Sequence, residues 1–267
     1  MRPRTQASLA VSGDGESWVL INASPDLPQQ IRQSRALHPR AQSGTRGSPI
    51  KSVVLTGAEI DQVAGLLSLR EREPFTLVAT SASLDALADN PVFGVLSPEL
   101  VARQAAAPGE PLALPGGLQI RLFIAPGKAP LYLEGDDPQT ASETAANVGV
   151  EIFAGAAHIA YVPGAAAVTA AMMEQLARAD VVFFDGTLFH DDEMILTGAG
   201  TKTARRMGHM PIEGNGGSLA ALASIAARRI FVHINNTNPI LIDGSPERVE
   251  VERRGWEIAE DGMEIVL

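Results

Sequence analysis

The sequence predicts an α/β protein in which mixed sheets are covered by helices. Three observations carry that prediction. Apolar strand-like runs such as SVVLT (52–56), VVFFD (181–185) and RIFVHI (229–234) alternate with helical patterns. Other runs pair across glycine-centred turns as hairpins. The apolar runs also close on polar residues, as strands do when their carboxyl ends face a cleft.

The elements follow in order. Strands over 5–11 and 17–22 flank Gly13-Asp14-Gly15, a hairpin turn, and a short helical pattern then ends near Gln33. Residues 39–49, rich in Pro, Gly, Ser and Arg, read as a mobile loop. A strand over 52–56 precedes a helix over 59–69, in which Ile60, Val63, Ala64 and Leu67 share one face. Next come a strand over 75–79, helical patterns over 83–89 and 98–106, and a strand over 118–125. The long loop 126–146 reads equally as a functional cover or a surface excursion. A hairpin over 147–153 and 157–162 turns at Gly155; a helix over 169–179 leads to the strand 181–185. A Gly-rich helix start over 216–228, the strand 229–234, a helix over 245–254 and short strands near 256–259 and 263–266 finish the chain. No linker stands out, so residues 1–267 are expected to form a single domain.

Composition narrows the function. Of the 267 residues, 45% are hydrophobic and only 4% aromatic, which gives a core built on Ala, Leu, Val and Ile rather than a disordered chain. The formal charge of −10 disfavours nucleic acid and anionic membranes as partners. The absence of cysteine excludes disulfides and thiol nucleophiles. No apolar run approaches the ~18 residues of a membrane span, and a cytoplasmic location is the default.

The chemistry-bearing residues sit at strand ends. Asp185 and His233 combine carboxylate and imidazole, a pairing suited to Fe, Mn or Zn. Asp185 before Gly186-Thr187 reads as readily as a turn former, and His233 with Asn235, Asn236, Thr237 and Asn238 as a capped turn. His209, in a Gly-flanked loop, is a candidate general acid or base and equally an exposed loop histidine. His190-Asp191-Asp192-Glu193 reads as a solvated helix start, and His38 and His158 as structural. There is no P-loop, dinucleotide fingerprint or G-x-S-x-G elbow.

Six segments, NASPD (22–26), IDQVAGLLSLRE (60–71), FDGTLFHDDEM (184–194), GTKTARRMGHM (200–210), VHINNTNPIL (232–241) and SPERVEVERRG (245–255), resemble the coenzyme PQQ synthesis protein B family. The similarity runs over essentially the whole chain and implies the metallo-β-lactamase αββα sandwich. Against that family the chain is expected to lack the usual first strand and the Cys-rich zinc segment. The superfamily metal motif T-H-x-H-x-D-H falls on Thr56-Gly57-Ala58-Glu59-Ile60-Asp61-Gln62, so its first two histidines are replaced and Gln62 stands at a usual histidine ligand. The resemblance implies metal ligands at Asp61, Gln62, Asp185 and His233, with Glu59 as an additional one, and proton transfer or substrate contact at His209. It implies Fe(II), or another divalent ion such as Zn, as cofactor. The implied reaction is O2-dependent hydroxylation of the tyrosine ring of a Glu-Tyr-derived precursor in pyrroloquinoline quinone (PQQ) biosynthesis. The alternative is a non-catalytic carrier of PQQ or its precursor toward the periplasm. Arg70, Lys202, Asn235 and Asn236 are candidate substrate contacts, with surface charge as the plainer role of Arg70 and Lys202. Other pathway proteins and a second copy of the chain are the expected macromolecular partners.

Overall fold

The computed structural model describes residues 3–40, 47–70 and 72–267. Positions 41–46 of the loop expected over 39–49, and Glu71 at the end of the segment 60–71, lie outside the described residues. The chain forms two compact units, one built mainly from Thr5–Leu122 and the other mainly from Phe123–Glu151 and Ala157–Glu260.

The first unit holds a sheet in the order β1-β2-β3-β4-β5: β1 (Leu9–Val11), β2 (Trp18–Ile21), β3 (Ile50–Val54), β4 (Phe75–Ala79) and β5 (Val101–Ala105). β1 and β2 are antiparallel across the expected turn, where the Asp14 Oδ1 accepts the backbone N–H groups of Glu16 and Ser17, both at 2.7 Å. The remaining pairs are parallel. Helices α1 (Leu27–Gln33), α2 (Ile60–Val63) and α3 (Ser81–Ala88) accompany the sheet, and the Thr80 side chain caps α3. The helix expected over 59–69 makes one α turn and continues as a 3₁₀ helix over Ala64–Leu69. Its glycine explains the change: Gly65 N–H donates to Ala23 O at 2.8 Å, and a methyl there would collide with the carbonyls of Ala23 and Ser24.

Residues 98–106 depart from expectation. They form the strand β5, in register with β4 from Phe75↔Val101 to Ala79↔Ala105. The ladder offered by β4 outweighs the helical preference of an Ala/Arg/Gln run, and only Val101 of β5 is buried. β6 (Pro111–Leu114), not foreseen, pairs antiparallel with β7 (Leu118–Ile124). The strand expected near 263–266 does not form. The core of this unit gathers Leu20, Val53, Leu55, Leu66, Leu77 and Leu87 with Phe75 and Phe93.

In the second unit the strands run β12-β11-β10-β9-β8: β8 (Val148–Ala154), β9 (Ala157–Val162), β10 (Val181–Asp185), β11 (Arg228–Val232) and β12 (Trp256–Ile258). β9 to β12 are parallel neighbours in the order 9-10-11-12. All five residues of β10 are buried, which is why VVFFD reads as a continuous apolar run rather than an alternating one. Helices α4 (Ala170–Leu176), α5 (Glu193–Leu196), α6 (Ser218–Ala221) and α7 (Pro246–Arg253) follow their strands, and Thr169 and Ser245 cap α4 and α7. The helix expected over 216–228 is reduced to α6, since Leu222 and Ile225 turn into the core and the chain must enter β11 at Arg228. Met172, Leu176, Leu219 and Val251 from the helices meet Val182, Phe184 and Phe231 from the sheet. Trp256 stacks on Phe231 with ring centroids 4.0 Å apart. Each such fully buried side chain contributes about 1.5–3 kcal/mol relative to exposure. Among the described residues no helix is long and apolar enough to cross a membrane.

Candidate metal centre

Parallel pairing brings the strand ends together. The register Asp185↔Val232 sets the end of β10 beside the end of β11, so His233 emerges next to Asp185. β11 stops one residue before His233, whose φ of 56° leaves the extended region and breaks the ladder expected to reach 234. The chain leaving β9 contributes Gly164 and Ala165. His209 arrives on a loop after a 3₁₀ turn over Arg205–Met207, ended by Gly208 at φ 83°. That loop is fixed by Met210 N–H donating to Ala165 O at 2.8 Å, and the His209 ring lies in contact range of Gly164.

Asp185 is 0% exposed and fully hydrogen-bonded. Its Oδ1 accepts the Thr187 N–H at 3.0 Å and the Thr187 hydroxyl at 2.6 Å. Its Oδ2 accepts the Ala165 N–H at 3.0 Å and lies 2.6 Å from His209 Nδ1. Burial pushes the carboxyl up, but the charges of His209 and His233 and the hydrogen bonds from His209 and Thr187 outweigh it and hold the group below its ordinary value. Asp185 is therefore a carboxylate.

Proton positions follow from that. A carboxylate only accepts, so His209 Nδ1 carries a hydrogen. Thr187 spends its one hydrogen on Asp185, so His233 Nδ1, 2.7 Å from the Thr187 oxygen, also donates. In the neutral state both rings then keep their lone pair on Nε2. The rings stack at 5.3 Å with 20° between their planes, and their side chains are 18% and 22% exposed. One ligand atom from each of Asp185, His209 and His233 falls within 4.8 Å of the others. One carboxylate with two imidazoles is a donor set that suits Zn or Fe, and atoms this close can be drawn onto one ion at bonds of ~2.0–2.2 Å.

The structure thus gathers Asp185, His233 and His209, the last offering a third candidate ligand atom where proton transfer or substrate contact was expected. Glu59, Asp61 and Gln62 lie at the start of α2 in the first unit. There Gln62 is buried, and its Oε1 accepts the Glu59 N–H at 3.1 Å within a capping box closed by the Glu59 side chain. Arg70 is exposed, and its guanidinium donates to Leu67 O at 3.0 Å. Lys202 pairs with Glu134 at 3.7 Å. Asn235 donates its amide to Thr237 Oγ1 at 3.1 Å, its backbone N–H donates to Thr187 O at 3.0 Å, and Asn236 is exposed.

Two residues carry more than the sequence suggested. Thr187 bridges the carboxylate and both imidazoles; its position two residues after a strand-terminal Asp was the only signal. Glu193, expected in a solvated helix start, is buried: Oε2 accepts the Phe189 N–H at 2.7 Å and Oε1 the Thr237 hydroxyl at 2.5 Å. It ties the segment after β10 to the segment after β11 through the Thr237 hydroxyl. Buried Asn238 adds a second tie, donating to Gly186 O at 2.8 Å. His158 is structural as expected, with Nδ1 3.1 Å from Arg178 O and Nε2 3.1 Å from Glu151.

Comparison with known proteins places this geometry. A family model described as a β-lactamase superfamily domain matches residues 17–234. The coenzyme PQQ synthesis protein B of Rhizobium meliloti (strain 1021) is 55% identical over all of this chain and 87% of its own length. That of Methylobacterium sp. (strain 4-46) is 52% identical over all of this chain and 89% of its own. The crystal structure of Zn(2+)-bound PqqB from Methylobacterium extorquens superposes with a TM-score of 0.97 at 51% identity, covering 100% of this chain and 89% of that one. A diphosphatase of the PhnP family, 20% identical with a TM-score of 0.64 over 97% of this chain and 83% of its own, shares the fold alone. The α/β fold is that of the metallo-β-lactamases, and the chain belongs to the coenzyme PQQ synthesis protein B family.

Proposed function

We propose that the chain acts in PQQ biosynthesis as a metal-dependent oxygenase that hydroxylates the tyrosine ring of a Glu-Tyr-derived precursor with O2, in the cytoplasm. The observation that carries this reading is the convergence of Asp185, His209 and His233 in a chain of this family. These three residues would hold a divalent cation: Fe(II) for the oxygenation, Zn being the ion named for the Methylobacterium extorquens relative. Fe(II), when bound, supplies the one-electron chemistry that O2 requires. The chain supplies orientation and proton control. Asp185 fixes the His209 ring and Thr187 the His233 ring. The hydrogen held at His209 Nδ1 is the starting point for the proton transfer expected of that residue.

The test is titration of metal-free protein with Fe(II) under anaerobic conditions and with Zn2+. One ion per chain is expected, with an affinity that falls in acid, where protons compete with the metal for its ligands. Asp185→Ala and His233→Ala should each abolish stoichiometric binding and O2-dependent product formation; turnover surviving both removes the site. The family pattern also implies Asp61 and Gln62, and a Gln62→His variant of unchanged affinity removes position 62 from the ligand set. The carrier reading is favoured by the capping role of the Gln62 amide, which occupies an expected ligand. It requires metal-free protein to bind PQQ, read by fluorescence quenching.

A further inference from the structure

Glu134 stands where three cations converge. It belongs to the long loop 126–146, and its carboxylate faces Lys128 of the same loop at 2.8 Å. From the segment leading to His209, Arg206 approaches it at 3.5 Å and Lys202 at 3.7 Å. The side chain is only 8% exposed. The hydrogen bond from Lys128 holds the carboxyl below its usual value; burial opposes this, and the charges of Lys128, Lys202 and Arg206 add to it. Three positive charges thus share one negative charge. The cluster therefore keeps a net positive charge, which a simple loop-fastening ion pair would not need.

One member of the cluster packs against the segment that carries His209. The Lys128 stem packs where Gly208 lacks a side chain, its Cγ 3.0 Å from the place of a Cβ, and Gly208 directly precedes His209. A cavity of about 280 Å³ opens beside Glu134, lined within the same loop by Leu133, Asp137, Ser142 and Thr144 among others. Asp137 is the other acid facing that cavity, and it is exposed.

We propose that Lys128, Lys202 and Arg206 form the recognition site for the carboxylates of a polycarboxylate substrate, with Glu134 as an internal stand-in that the substrate displaces. The identity of the reacting centre beside it rests on the function proposed above; the cation cluster and its displacement do not. Exchange of one carboxylate for another conserves the ion pairs, so releasing Glu134 costs little. Because Glu134 is tethered, its effective concentration is high. A monocarboxylate therefore loses the competition, whereas a ligand placing two or three carboxylates on the planar guanidinium and the two ammonium groups wins it.

Zinc-loaded protein titrated calorimetrically with PQQ, a tricarboxylate, and with its trimethyl ester tests this. PQQ should bind with an affinity that falls as salt rises, and the ester should not bind. Lys202→Met and Arg206→Met should each weaken binding about tenfold or more, as loss of a charged partner does. Glu134→Gln should tighten it several-fold, because the competing charge is gone while the side chain's size remains. If Glu134 merely fastens the loop, Glu134→Gln binds PQQ no better than the parent, and that result overturns the proposal. So does equal binding of acid and ester, or parental affinity in both cation variants. Zinc stoichiometry measured on the same samples reports separately on the metal centre: its loss in the parent protein refutes the functional reading, while the PQQ affinities still decide this one.

Discussion

Replacing Thr187 with Val tests whether the site is held by one hydroxyl. The residue is buried at 7% exposure, and valine has the same shape, so no cavity opens. What disappears is the Thr187 hydroxyl's donation to Asp185 Oδ1 at 2.6 Å and its acceptance from His233 Nδ1 at 2.7 Å. A hydrogen bond to a buried charged group contributes ~1.5–3 kcal/mol. The surviving Thr187 N–H bond to the same oxygen, at 3.0 Å, moves the estimate to the middle of that range. The His233 side chain, 22% exposed, can recover a bond from water and adds little. The expected loss is thus ~2 kcal/mol, or a fall in Tm of ~4–8 °C for a chain of this size. Scanning calorimetry and urea unfolding of metal-free protein at pH 7 measure it, and Thr187→Ser should restore most of the stability. The loss should shrink in acid. Asp185 is held below its ordinary value in the fold, so its contribution is present above the ordinary carboxylate pKa and vanishes as pH falls through the folded one. A Thr187→Val protein melting within ~1 °C of the parent would falsify the argument, since even the weakest charged hydrogen bond predicts more.

Two further outcomes rest on other parts of the chain. Asp14 should titrate at about 2 by carboxyl NMR, because the backbone N–H groups of Ser17 and Glu16 favour its charged form. The order it lends the β1–β2 turn is then complete above the ordinary carboxylate value of 3.8 and lost as pH drops through about 2; a midpoint near 3.8 refutes the hydrogen bonding. Gly65→Ala should destabilise by ~1–3 kcal/mol through overpacking against the carbonyls of Ala23 and Ser24, read by urea unfolding. Parental stability would mean that the chain after α2 has room to move.

Much of the scaffold was legible locally. Runs such as VVFFD and RIFV announce buried strands because strand-forming residues and burial act over five residues at a time, and the helices expected from 169 and 245 begin where Thr169 and Ser245 cap them, caps being local hydrogen bonds. Residues 101–105 misled because their strand is made by a neighbour, β4, whose unpaired edge lies more than twenty positions away. Glu193 misled because one of its donors, the Thr237 hydroxyl, comes from a segment 44 positions away that the linear pattern cannot join to it.

The candidate site divides in the same way. Asp185 and His233 were visible as polar ends of apolar strands, a signal contained in each strand. That His209 meets Asp185 across 24 positions, that Thr187 reaches His233 across 46, and that Lys202 turns to Glu134 were decided only by tertiary packing. The amino-acid order by itself determined the buried strands such as β3, β10 and β11, the acidic balance and the family. The parallel register of β9, β10 and β11 and the left-handed turn at Gly208 decided which side chains meet at the candidate site. Such meetings depend on how separated segments pack, and no local window encodes that.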